Sequence, residues 1–251
     1  PRSGSTVLSA ILNQNKQIYV TPTSPLLDQL ITNQDTWHRL VETKASGKPE
    51  QLDNITRRLI NAMYKHVPQE IIIDKNRGWG KNMPASTILF KEEIKMVAMV
   101  RDLPSIMASW LILLQKNPDS YMKLLLKEKN LVANDENMMD EMWHNMVKDC
   151  MEGIVEAKRT ADNRLLLINY DDFVNNPTSK LVEIEKFLNL PHYDYDCNNI
   201  ESLTNDDDLS AWGLNGMHTI RRRLSKTSID PKIVLGERLF NKYSEIEKYY
   251  I

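Results

Sequence analysis

Apolar residues along this chain recur at two different periods, and the changes of period mark its elements. Val7, Leu8, Ile11 and Leu12 follow a Gly/Ser turn at helical spacing and predict a helix ending near Asn15. Leu26 to Lys44 reads as a second helix, starting after Pro25. Gly47-Lys48-Pro49 is a break. Pro49 to His66 reads as a third helix, with Leu52, Ile55, Leu59, Ile60 and Met63 on one side. The period then shortens. Glu70 to Asp74 is a short β-branched run after Pro68 and predicts a buried strand. Ile94 to Val100 and Arg164 to Asn169 predict two more strands.

Helical patterns separate these strands: Ala85 to Glu93, Pro104 to Lys116, Ser120 to Val132 and the long Glu136 to Ala161. In the last of these, Met139, Trp143, Met146, Cys150, Ile154 and Ala157 form one stripe that reads as core. Pro177 to Leu190 and a segment from Pro231 onward complete the set. Apolar strands alternating with amphipathic helices imply an α/β fold. The expectation is a parallel sheet flanked by helices on both faces, rich in helix.

Composition narrows the class. The 251 residues are 41% hydrophobic and 26% charged, which excludes wholesale disorder. A net charge of −2 argues against a basic nucleic-acid footprint over the whole chain, but not against a local anion site. Two cysteines, Cys150 and Cys197, are too few for a disulfide scaffold or a four-ligand zinc site. No apolar run approaches the ~18–20 residues of a membrane span. With no signal segment in view either, a cytoplasmic setting is expected. The chain opens on Pro1, inside what reads as a functional loop, so a strand upstream of residue 1 is expected, with 1–251 forming a single domain.

Four segments carry candidate chemistry. Pro1-Arg2-Ser3-Gly4-Ser5-Thr6 runs straight into a helix, where backbone N–H groups, hydroxyls and a guanidinium form an anion cradle. It lacks the Gly-Lys-Ser/Thr ending of the nucleotide P-loop. Arg101 ends a strand and Ser109 lies eight residues later on the next helix. Ligands of open α/β sheets bind at the carboxyl ends of strands, so Arg101 points at the cleft. Lys75, in Asp74-Lys75-Asn76, ends another strand. Tyr170-Asp171-Asp172-Phe173 closes the third, followed by Asn176-Pro177 and the Phe187–Leu190 run.

In this order the four segments resemble the sulfotransferases that use 3′-phosphoadenosine 5′-phosphosulfate (PAPS), over roughly Pro1 to Leu190. The pattern is most similar to the tyrosyl-protein and carbohydrate branch, and the resemblance implies a P-loop-type parallel sheet flanked by helices on both faces. The resemblance implies that Arg2, Ser3, Gly4, Ser5 and Thr6 hold the 5′-phosphosulfate and that Arg101 and Ser109 hold the 3′-phosphate. Tyr170 belongs to the matching third segment, and Lys75 takes the place of a cleft lysine that stabilises charge on the transferring group. Arg221, in the late basic run Arg221-Arg222-Arg223, matches a segment that closes the site. The implied donor is PAPS and the implied product PAP, with no metal. The acceptor would be a hydroxyl or amine on a carbohydrate, peptide or small molecule.

The chain departs from the pattern where that branch often carries a glutamate base, since Thr23 stands there. No histidine stands at the Lys75 strand, where the simple cytosolic branch has one. His38, Asp28, Asp74 and His218 remain candidates for the base. The loop Trp212–Gly216, with two glycines, is expected to act as a lid, and Asn205–Asp208 to be solvated surface. Two other readings stay open: a P-loop kinase-like phosphotransferase needing ATP and magnesium, and a nucleotide-binding module without catalysis.

Overall fold

Each parallel strand leads through a turn or loop into a helix, and these connections line one cleft with the candidate segments. The computed structural model describes residues 1–90, 93–202, 208–226 and 229–250. The strands are β1 (Ile18–Val20), β2 (Ile71–Ile73), β3 (Met96–Val100) and β4 (Leu165–Asn169). The helices are α1 (Ser5–Leu12), α2 (Leu26–Arg39), α3 (Val41–Ser46), α4 (Pro49–Met63), α5 (Met83–Phe90), α6 (Leu103–Lys116) and α7 (Tyr121–Glu128). They continue as α8 (Asp135–Met142), α9 (Lys148–Thr160), α10 (Tyr170–Asn175), α11 (Pro177–Leu188), α12 (Asp208–Trp212) and α13 (Pro231–Glu247).

β1 pairs parallel with β2, aligning Ile18 with Ile71 and Val20 with Ile73. β3 pairs parallel with β4, from Met96 opposite Leu165 to Val100 opposite Asn169. Among the described residues the ladders therefore form two two-stranded sheets rather than one. β2 and β3 both line the central cleft. This corrects the expectation that Glu70–Asp74 is a buried strand: Ile72 is exposed and its neighbours half-buried, because that face opens on the cleft. β1 has no counterpart in the sequence reading, since three residues carry too little periodicity. Tertiary contacts place it. The Asn13 amide clamps the Val20 backbone with bonds of 2.9 and 2.7 Å.

Helices cover both faces. Leu8, Ile11 and Leu12 of α1 pack with Ile168, Phe173, Leu181 and Ile184 on one side. Met83 of α5 and Ala157 of α9 pack on Met96 and Leu165 on the other. A second core joins α6 to α8 and α13 around Trp110, Met139, Trp143 and Tyr243.

Three predicted boundaries move. The Leu26–Lys44 helix divides at Leu40, whose backbone is extended. The Glu136–Ala161 helix contains a π turn over Trp143–Val147. An inserted residue of this kind rotates the later turns of the helix relative to the earlier ones. Met139 and Trp143 lie in the core while Cys150 and Ile154 face the cleft, so the predicted core stripe is split between two environments. Finally, Ala85–Glu93 is Met83–Phe90, and Lys91 and Glu92 lie outside the described residues.

Candidate functional site

The carboxyl ends of the strands converge on the loop before α1. Together they line a cleft of about 1400 Å³ that includes Arg2 to Thr6, Lys75, Arg101, Ser109, Tyr170 and Arg221. All the predicted site residues thus share one cavity.

Gly4 has φ +90, and a Cβ there would sit 2.6 Å from Cδ2 of Tyr170. Only glycine fits such a position. Close approach is therefore used, but the approaching group is the Tyr170 ring. Gly4 is also the N-cap of α1 and gives no side-chain cap, which leaves the first-turn N–H groups facing the cleft. Ser3 is buried beside them.

Arg2 has φ 60, an uncommon backbone for a residue with a side chain. Its guanidinium holds it there. Nε donates to Ser109 Oγ at 3.0 Å and Nη1 to the Met217 carbonyl at 2.5 Å, with the Trp110 ring 5.8 Å away. Arg101 donates to the Arg2 carbonyl at 3.5 Å and stacks on Tyr170 at 4.4 Å. Burial, and then the neighbouring Arg101, push the Arg2 guanidinium down from its ordinary value, while Asp208 acts in the opposite sense. Arginine does not deprotonate in proteins, so this records a cation withdrawn from solvent beside a second one. Among the described residues neither is ion-paired with a carboxylate, and Arg101 Nε is buried without a hydrogen-bond partner. Buried charges of one sign call for an anion.

Lys75 lies across the cleft at the end of β2, where its backbone N–H donates to Thr21 Oγ1 at 2.7 Å. The residue before it is spoken for. Asp74 accepts from the Tyr64 hydroxyl and, at 2.7 Å, from Trp79 Nε1. Burial and this carboxylate raise the Tyr64 phenol above its usual range. Of the other candidate bases, Asp28 is exposed and accepts from Asn76 at 3.1 Å. His38 is exposed and belongs to a separate small cavity with Trp37 and Leu52.

Three features were not legible in the residues. Asp208 is buried, not solvated, and accepts from the His218 backbone at 2.8 Å while meeting His218 Nδ1 at 2.6 Å. The rest of the predicted acidic loop, Asn205–Asp207, lies outside the described residues. Next, the chain bends at Arg222 and Arg223 beside 197–200, with Ile200 N–H on the Arg222 carbonyl and Leu224 N–H on the Cys197 carbonyl. Arg221 and Arg223 line the cleft, while Arg222 donates to Asn199 at 2.8 Å. Last, the expected lid is anchored: Leu214 is buried, and Asn215 exchanges bonds of 2.8 and 3.1 Å with Asn117 at the end of α6.

No cluster of metal-ligating side chains occurs among the described residues, and no described helix is long and apolar enough to cross a membrane.

A model described as the sulfotransferase family matches residues 1–194. No curated protein matches by sequence. Among solved structures, the sulfotransferase domain from the Synechococcus PCC 7002 olefin synthase aligns with a TM-score of 0.51 at 18% identity, over 100% of this chain and 92% of that one. The sulfotransferase domain from the curacin biosynthetic pathway gives a TM-score of 0.48 at 18% identity, over 98% and 88% of the two chains. The first of these likenesses, at such low identity, speaks to fold alone. Asp208, His218 and the arginine run lie beyond the family match.

Proposed function

Because this chain belongs to the sulfotransferase family, we propose that it moves a sulfuryl group from PAPS to an acceptor hydroxyl or amine, releasing PAP. The observation that carries the reading is the pair Arg2–Arg101, two adjacent guanidiniums with a buried, unpartnered Nε between strand ends and helix N-terminus. An anionic donor with phosphates at both ends fits that set of donors. Arg101 would meet the 3′-phosphate, which distinguishes PAPS from ATP. Arg2, the α1 N–H groups and the hydroxyls of Ser3, Ser5 and Thr6 would hold the 5′ side.

Sulfuryl transfer parallels phosphoryl transfer, an in-line displacement in which charge grows on the leaving oxygen. The donor supplies the sulfuryl group and a stable leaving group. The protein supplies position and fixed positive charge. Arg2 is preorganised for this by its bonds to Ser109 and Met217, so little rearrangement is needed when charge develops. Lys75 would face the transferring group from the β2 side. Tyr170 would keep the Arg101 plane fixed by stacking.

A thermal-shift titration with PAP, beside 5′-AMP and ATP–magnesium, tests the reading. Stabilisation follows RT ln(1 + [L]/Kd), about 2.7 kcal/mol at a hundredfold excess. The expected result is a clear shift with PAP, little with 5′-AMP, and its loss in Arg101→Ala. A shift with ATP–magnesium alone would point to a phosphotransferase. No shift with any of the three would overturn the donor site.

A further inference from the structure

The first turn of α6 is closed by a residue from the far end of the chain. Residues 103–105 carry two N–H groups, because Pro104 has none. Ser105 N–H is taken locally, by the Asp102 carboxylate at 2.8 Å. Leu103 is fully buried, and its N–H donates to Glu247 Oε1 at 2.9 Å, across 144 residues of sequence. The positive end of α6 is thereby spent on two protein carboxylates. Leu103 stands two residues after Arg101, the cation assigned to the 3′-phosphate. Helix α13 ends on Glu247 and is held in place by Tyr243, which is buried in one core with Trp110 of α6 and donates to Asp140 at 3.4 Å. Trp110 in turn lies under the Arg2 guanidinium at 5.8 Å. One helix, outside the family match, thus backs both Arg2 and Arg101.

We infer that Glu247 is a positioning residue for the 3′-phosphate end of the donor site, and that the seating of α13 and the occupancy of that site are coupled; the inference rests on the PAPS reading above. The reason is geometric. β3 ends at Val100 and α6 begins at Leu103, so the Arg101 backbone is pinned on one side by the β3–β4 ladder and on the other by the Leu103 cap. Its side chain adds a 3.5 Å bond to the Arg2 carbonyl and the stack on Tyr170, with Nε unpartnered. Loss of the cap releases the second anchor and leaves a buried N–H unsatisfied, which the first turn of α6 relieves by shifting toward solvent. Arg101 shifts with it. Coupling between two sites is reciprocal, so a 3′-phosphate on Arg101 also tightens the seat of Glu247.

The test uses Glu247→Ala, Glu247→Gln and Tyr243→Phe in the full chain. Titration calorimetry with PAP, and with 5′-AMP as the ligand lacking the 3′-phosphate, reads affinity. Hydrogen exchange with and without PAP reads the seat of α13. Glu247→Ala should weaken PAP by about 3–30-fold and leave 5′-AMP within about twofold of the parent. Glu247→Gln keeps an oxygen for the Leu103 N–H and should bind PAP within about twofold of the parent. Tyr243→Phe takes the hydroxyl from Asp140 without touching the cap, so it should melt earlier with PAP affinity kept. In the unmodified chain PAP, but not 5′-AMP, should slow exchange of the Leu103 amide and of residues 240–250. Parental PAP affinity in Glu247→Ala, or an equal loss in Glu247→Gln or in Tyr243→Phe, would overturn the inference while leaving the donor site standing. PAP binding with no change of exchange in α13 would overturn the coupling even where Glu247→Ala fails to fold. Absence of PAP binding in the parent would instead overturn the donor reading itself, and the positioning role with it.

Discussion

Arg2 Nε donates to Ser109 Oγ at 3.0 Å, so the loop before α1 is tied directly to the second turn of α6. The motif pattern assigns these two residues to opposite ends of a donor. In the folded chain they form one unit, with Arg101 on the Arg2 carbonyl. Ser109 thus acts first as the support that keeps Arg2 in its left-handed backbone.

A double-mutant cycle on the ligand-free protein reads this support. Arg2→Ala and Ser109→Ala should couple by about 0.5–3 kcal/mol in thermal stability. Arg101→Ala and Ser109→Ala should be additive to within about 0.5 kcal/mol. Coupling confined to the second pair would show that Ser109 serves Arg101 instead.

Gly4→Ala places a Cβ 2.6 Å from the Tyr170 ring at φ +90. The expected destabilisation is about 1–3 kcal/mol, measured by denaturant melts. PAP stabilisation should fall with it, because displacing Tyr170 unseats Arg101. A variant with parental stability and PAP shift would sink this account of the glycine.

The arginine run should divide by what each side chain faces. Arg223→Ala removes an exposed cleft charge and should weaken PAP binding by about 0.5–1 kcal/mol, more so at low salt. Arg222→Ala should leave PAP binding unchanged, since its guanidinium meets Asn199. Isothermal titration of both variants decides, and equal losses would refute this division.

Acid stability has a separate source. Glu141 accepts from Lys129 Nζ at 2.8 and 2.7 Å and from Asn145 at 2.8 Å, and the Lys129 bonds hold its carboxyl below the usual glutamate value. A carboxyl depressed in the folded state adds stability above its unfolded pKa of about 4.3, and loses it as pH falls through the folded value. Glu141→Gln should cost about 1 kcal/mol at pH 7, discounted for the exposed lysine, and converge with the parent in strong acid. Melting curves from pH 7 to pH 2 would show it, and a parallel offset at every pH would contradict the assignment.

Periodicity alone determined the α/β class, most of the longer helices and three of the four described strands, because burying one face of a helix or strand imprints a repeat of apolar positions; the short α10 and α12 were not legible in it. Motif spacing pointed to residues that share one cleft: Lys75, Arg101 and Tyr170 lie just beyond strand ends, which parallel strands deliver to one place, and Arg2 and Ser109 join them from the loop before α1 and from α6. Tertiary structure decided the rest. β1 is three residues long and exists through its ladder with β2 and its clamp by Asn13. The π turn after Met142 redirects Cys150 and Ile154 from core to cleft, a rotation that no repeat in the residues announces. The Asp208–His218 pair depends on burial, which turns an acid at the edge of a polar loop into the partner of a cleft histidine. Local patterns record which face a segment hides. They do not record which side chains from separate segments share the same few ångströms, and that sharing sets the charge, direction and reach on which the site's chemistry rests.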